Sequence, residues 1–164
     1  KAAVNPALVA LLRSRWHGLL SDRFLVLAIG GRRSGRVYTF PLGYLRDGDT
    51  VTIASNQGWW VNARAGNVPV TLWLGGRRRQ GLASASRDEA VVAAELPRFL
   101  ARSPALARFY RVERGADGRY TAESVRAAAR EVAIVHIRLV ETAARAGEDE
   151  APTAPRATKG AGGG

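Results

Sequence analysis

The sequence predicts an α+β protein: a small antiparallel β-barrel with flanking helices. Three observations carry this reading. Short apolar runs recur along the chain, most of them parted by glycine-rich or Asp-Gly segments of hairpin type. Stretches with a helical apolar period stand at the ends and between the runs. The length of 164 residues suits one domain and is too short for two.

Taken in order, Asn5-Pro6 opens a helical pattern with Val4, Leu8, Leu11, Leu12, Trp16, Leu19 and Leu20 on one face. Residues 24–29 are continuously apolar, as a buried strand is. Gly30-Gly31-Arg32-Arg33-Ser34-Gly35 ends that run as a turn, and residues 37–45 resume as a second strand. Asp47-Gly48 is a hairpin signal leading into a strand over 50–55. Gly58-Trp59-Trp60 then begins a short helix that reaches Ala65. Strands over 70–74 and 77–86 flank Gly75-Gly76 as another hairpin. Residues 87–103 read as a helix, with Asp88 and Glu89 suited to the positive end of its first turn. A shorter helix over 123–130 and a final apolar strand over 132–140 complete five or six strands in all. From residue 146 the chain is rich in Pro, Gly, Ala and Thr, without aromatics or period, and reads as a disordered tail. The expected organisation is an amphipathic helix over 1–22, a barrel domain over 23–145 and a tail over 146–164.

Composition narrows the chemistry. No apolar run approaches the 18 or so residues of a membrane-spanning helix. Cysteine is absent, which removes disulfides, thiol nucleophiles, iron–sulfur clusters and thiolate zinc sites. No signal peptide is visible, so the cytoplasm is the expected compartment. The net charge is +11, and all the basic residues except Lys1 and Lys159 are arginines. Arginine grips phosphate or carboxylate with a planar fork of donors, so an anionic partner is expected. Arginine-rich, lysine-poor usage also follows from a GC-rich genome, whatever the protein does.

His17 and His136, the only histidines, fall on the first helix and within the last strand, and both read as structural. No metal site is expected. No P-loop and no Gly-x-Gly-x-x-Gly run is present, and no paired carboxylates stand out. If the chain is an enzyme, a bound cofactor carries the hard chemistry. Two segments are candidate sites. Gly30-Gly31-Arg32-Arg33-Ser34-Gly35-Arg36 offers flexible backbone amides, guanidinium groups and a hydroxyl to a phosphate or carboxylate cluster. The alternative is an arginine-rich surface hairpin. Ser55-Asn56-Gln57-Gly58-Trp59-Trp60-Val61-Asn62 is a strand end that presents small polar groups and a tryptophan wall to a flat ring. Here the alternative is that Trp59 and Trp60 plug the core.

The ordered set of the Gly-Arg-Arg-Ser-Gly turn, the strand from Pro41 to Tyr44, the Arg46-Asp47-Gly48 hairpin, the strand ending at Ser55 and the tryptophan–asparagine helix resembles the deazaflavin-dependent nitroreductase family. The resemblance covers residues 24–86 well and the C-terminal half in outline. It implies a split β-barrel of the FMN-binding, pyridoxamine-phosphate-oxidase-like kind, with coenzyme F-420 as cofactor and FMN as the alternative. By the same resemblance, Arg32, Arg33, Ser34 and Gly35 would hold the cofactor's phosphate and glutamate tail. Ser55, Asn56, Gln57 and Gly58 would line the deazaflavin ring, with Trp59, Trp60 and Asn62 beside it. The implied activity is hydride transfer to a quinone, an enone or a nitroaromatic acceptor. Ser55 is the expected donor to the acceptor's oxygen, with Tyr110 and Tyr120 as alternatives.

The rival readings are an FMN-dependent reductase of the same fold and a non-enzymatic barrel that stores a cofactor or ligand. Nucleic acid is not an expected partner, because no aromatic platform is interleaved with the basic residues. A homodimer is an open alternative. The first helix could lie on an anionic membrane at its inner face through Arg13 and Arg15, or its apolar side could cover the barrel.

Overall fold

In the strand β1 (Phe24–Gly30), Leu25, Leu27 and Ile29 are buried while Phe24, Val26 and Ala28 between them are only half-buried. One face of this apolar run therefore fills a core and the other carries apolar side chains outward. A computed structural model describes residues 23–102 and 104–140. The helix expected over 1–22 and the tail expected over 146–164 lie outside the described residues.

Six further strands follow: β2 (Val37–Gly43), β3 (Leu45–Asp47), β4 (Thr50–Ser55), β5 (Val68–Leu74), β6 (Arg77–Ser86) and β7 (Ala133–Val140). All pair antiparallel in one sheet of order β2-β1-β5-β6-β7-β4-β3. Strands β2 and β3 are separated in sequence by Tyr44 alone, yet they form opposite edges of that order. Consecutive Cα atoms are about 3.8 Å apart, so the two edges must meet, and the sheet rolls into a half-barrel. Leu27, Phe40, Ile53, Trp59, Leu72 and Val135 fill its interior. The single strand expected over 37–45 is thus two, and the sheet has seven strands where five or six were expected. The apolar pattern runs through the break; only the rolling of the sheet separates the two pieces.

Three helices, α1 (Glu89–Arg102), α2 (Pro104–Phe109) and α3 (Ala122–Ala129), form a layer on one half of the barrel's outside. Val92 and Phe99 of α1 and Ala129 of α3 pack with Leu45 and Ile134 of the sheet. Leu96, Leu100, Val112 and Val125 join the helices to one another. Helix α1 starts two residues later than expected because Asp88 caps it, its carboxylate accepting from Ala90 N at 3.0 Å and Val91 N at 3.1 Å. Thr121 caps α3 in the same way, accepting from Ser124 N. No helix among the described residues is long and apolar enough to cross a membrane.

Candidate functional site

The turn between β1 and β2 is held from within. Gly31 N–H donates to Arg36 O at 2.7 Å, and Gly35 N–H donates to Gly31 O at 2.8 Å. Arg36 N–H donates to Ser34 Oγ, which also pairs with the Tyr38 hydroxyl. Gly35 has φ of +65°, a region that glycine enters without a side-chain clash. At Gly31 a Cβ would meet the Tyr38 ring at 2.6 Å and Ser34 Oγ at 2.8 Å, so any side chain there would have to displace both.

A second tie comes from across the barrel: Arg32 N–H donates to Asn62 Oδ1 at 3.0 Å. Asn62 belongs to the short 3-10 helix Gly58–Ala63 that follows β4. The turn and the tryptophan–asparagine helix, 30 residues apart in sequence, are therefore one unit. The sequence suggested that the turn's amides would converge on an anion. Instead the amides of Gly31, Arg32, Gly35 and Arg36 are engaged within the protein. Arg32, Arg33 and Arg36 are exposed, and no acid pairs with them among the described residues.

At the end of β4, Ser55 is buried, and its Oγ accepts from Gln57 N at 3.1 Å and Trp59 Nε1 at 3.1 Å. A serine hydroxyl has two acceptor lone pairs and one donor. Both lone pairs are in use, while the O–H has no acceptor among the described residues. Two N–H groups donating into the oxygen also polarise that O–H, which makes it a stronger donor. Trp59 is buried and stacks on Phe40 with ring centroids 5.6 Å apart. Of the two tryptophans it is the core plug. Trp60 is half-buried, with the Arg87 guanidinium 6.0 Å from its ring centroid. Asn56 and Gln57 are exposed on the connecting segment, and Gly58 is exposed at the start of the helix.

The structure therefore brings Arg32, Arg33, Ser34 and Gly35 together with Ser55, Trp59 and Asn62. Tyr110 and Tyr120 stand elsewhere, in the helical layer outside the sheet, whereas Ser55 is on its inner side. Tyr110 packs among the helices, where burial pushes its phenol pKa up. Tyr120 donates to Leu100 O at 3.1 Å and lies under the Arg114 guanidinium at 4.4 Å. Sequence reasoning also passed over Arg87. Beside Trp60, it donates through Nη2 to Arg130 O at 2.6 Å, at the end of α3. Its signal was its position, one residue beyond the end of β6. His136 sits on the outer face, its Nε2 4.0 Å from a Glu95 carboxylate oxygen, and it takes no part in this cluster. Among the described residues, no group of three or more His, Asp or Glu side chains could hold a metal ion.

The residues present suit a polyanionic cofactor: guanidiniums at the turn with no acid partner among the described residues, then an aromatic helix and the Ser55 hydroxyl beside it. The F420H(2)-dependent quinone reductase family model matches residues 12–114 of this chain. Among solved structures, one described as an F420 reductase is similar at 17% identity and a TM-score of 0.48, over 76% of this chain and 92% of that one. An FAD-binding protein from Mesorhizobium loti is similar at 14% identity and a TM-score of 0.48, over 76% and 86%. A general stress FMN/FAD-binding protein from Xanthomonas citri is similar at 17% identity and a TM-score of 0.41, over 85% and 95%. No curated protein matches the chain.

Proposed function

The chain belongs to the F420H(2)-dependent quinone reductase family, and from that premise we propose that its cofactor and acceptor meet at the Ser55 end of the rolled sheet. It is an oxidoreductase that uses coenzyme F-420. When bound, the reduced cofactor supplies a hydride to the acceptor. The protein's own part is to bind, orient and donate.

Arg32 and Arg33 hold the phosphate and the carboxylate tail by charge-assisted hydrogen bonds. Ser34 and Gly35 keep the turn in the shape that presents them. Asn62 fixes that turn relative to the helix, so the tail is anchored at a set distance from Ser55. Asn56, Gln57 and Gly58 form the ring's polar border, and Trp59 keeps the wall behind it dry. Trp60 forms the flank, steadied by Arg87. The acceptor is a quinone, with an enone or nitroaromatic as further substrates. The Ser55 O–H donates to the acceptor oxygen on which negative charge grows as it is reduced.

One observation carries this assignment: the Ser55 hydroxyl accepts twice and, among the described residues, has no acceptor for its O–H, beside the helix tied to the arginine turn. The test begins with titration of the protein by coenzyme F-420 and, separately, by FMN, followed by fluorescence. Binding of the deazaflavin and turnover of a quinone are expected. Binding of FMN alone would move the chain to flavin chemistry, and binding of neither would overturn the cofactor site. Ser55→Ala is then expected to lower turnover about tenfold, the worth of one donor of about 1.4 kcal/mol, with coenzyme affinity nearly unchanged. An unchanged rate would remove Ser55 from the reaction.

A further inference from the structure

Ser55 and Arg87 stand level on the inner rim of the rolled sheet. On β4, Val51 and Ile53 face the core, and Ser55 is the next residue with that orientation. On β6, Ala83 and Ala85 pack with the same core, and Arg87 follows in the same alternation, one residue past the strand. Ser55 pairs with Ala133 and Ser86 with Ile134, so Arg87 comes level with Ala133. It therefore lies two strand spacings from Ser55, about 10 Å between Cα atoms, with the small Ala133 between them.

The Arg87 side chain is held in place. Its Nη2 donates to Arg130 O at 2.6 Å, and its guanidinium lies 6.0 Å from the Trp60 ring centroid. That contact uses only one of the several N–H donors a guanidinium carries. The acids beside it in sequence are committed elsewhere: Asp88 caps α1, and Glu89 pairs with Arg130 Nε at 3.1 Å. Among the described residues no acid pairs with Arg87. Its place also differs from that of the arginine turn. Trp60 and Asn62 are two residues apart on a 3-10 helix, which has about three residues per turn, so they project about 120° apart around its axis. The turn is tied to one side of this helix, and Arg87 stands at another.

We propose that Arg87 is the specificity residue for the acceptor, and that the preferred acceptor is a planar quinone carrying an acidic group, a carboxylate or a sulfonate. This rests on the reading above, in which the Ser55 hydroxyl donates to the acceptor oxygen. With the cofactor's charges held at Arg32 and Arg33, the guanidinium on another side of the helix serves the second reactant. A quinone bound with its carbonyl at Ser55 points its far edge toward Arg87. An acidic group on that edge accepts paired N–H bonds from the guanidinium's planar fork. Trp60 gives the ring an apolar neighbour, which the guanidinium keeps in place. Because Arg87 is already anchored at Arg130 O, its side chain has little freedom left to lose on binding.

The chain contains no cysteine for a quinone to alkylate, so simple probes serve. Equilibrium dialysis against the full chain compares naphthoquinone sulfonate with uncharged naphthoquinone, without coenzyme and without turnover. The sulfonate is expected to bind about tenfold more tightly, the worth of one charge-assisted contact. Arg87→Gln is expected to abolish that preference, and Arg87→Lys, which keeps the charge, to restore about threefold of it. Arg126→Gln, on the exposed side of α3, is expected to leave it intact. In steady state with reduced coenzyme F-420, the same preference is expected in KM and not in kcat. Equal binding of the two quinones, or a preference that survives Arg87→Gln, would overturn the inference. So would an equal loss from Arg126→Gln, which would give the effect to general positive charge. A matching fall in coenzyme F-420 affinity in Arg87→Gln would overturn it by giving Arg87 to the cofactor. The dialysis needs no coenzyme, so failure of F-420 to bind the unaltered chain overturns the cofactor reading and leaves the anion preference to be read by itself.

Discussion

Gly30-Gly31-Arg32-Arg33 and Gly75-Gly76-Arg77-Arg78 are the same four residue types in the same order, each placed where two neighbouring strands join. In the second run both glycines have positive φ, +54° and +77°, and make a two-residue turn of the kind that matches strand twist. The arginines there belong to β6 already, with Arg77 opposite Leu74. In the first run the positive φ comes later, at Gly35, and the connection is longer, so Arg32 and Arg33 stand on the turn itself. That turn is bound to Asn62, and through it to the helix carrying Trp59. What separates the two turns is therefore the attachment of one backbone to a second element, which the local composition does not encode.

The sharpest way to break this comparison is to remove each arginine pair. Arg32→Ala with Arg33→Ala is expected to weaken coenzyme F-420 binding about 100-fold, from two charge-assisted contacts of about 1.5 kcal/mol each. Arg77→Ala with Arg78→Ala is expected to change it by less than about twofold, since the β5–β6 turn lies at the opposite end of β1 and exposed charges so far apart are largely screened. Fluorescence titration at low and at high salt reads both, and the first loss should be larger at low salt. Equal losses from the two pairs would mean that general positive charge, and not the tethered turn, attracts the cofactor.

Next in size is the tether. Asn62→Ala removes the acceptor for Arg32 N–H and is expected to weaken binding about tenfold, as the loss of one hydrogen bond of about 1.4 kcal/mol would. Unchanged affinity would show that the turn holds its shape alone. The smallest effects are expected at the glycines. Gly35→Ala and Gly75→Ala each force a side chain to positive φ and are expected to lower stability by about 1–2 kcal/mol in thermal melts. Gly35→Ala alone should also weaken the coenzyme, by about threefold, which corresponds to about 0.6 kcal/mol. A matching loss from Gly75→Ala would erase the distinction between the turns.

Much of this architecture was legible in the residues. The bounds of β4 and β6 follow from their flanking turn signals, Asp47-Gly48 and Gly75-Gly76, because glycine at positive φ is a local requirement. The two candidate segments were visible for the same reason: glycine, arginine and small polar groups concentrate where regular structure stops. The tie between Arg32 and Asn62 was not visible, since a hydrogen bond spanning 30 residues depends on the sheet being rolled. Nor could adjacency in sequence say which tryptophan is the plug; that follows from Phe40 lying against Trp59 and Arg87 against Trp60. Tyr110 and Tyr120 entered as alternatives because the resemblance implies tyrosines from the C-terminal half in the substrate pocket. The folded chain engages them in the helical layer, where the Tyr120 hydroxyl already has a partner in Leu100 O.

The strand order has a consequence for how the protein is made. Strand β7, the last described segment of the chain, is inserted between β6 and β4, and it hydrogen-bonds to both. A ribosome delivers it after everything it must join. Until residues 133–140 emerge, β4 and β6 each present a row of unpaired amides and carbonyls, the condition in which strands find wrong partners. The barrel closes in one late event, by contacts of long sequence separation, and that step is slow for reasons of chain entropy.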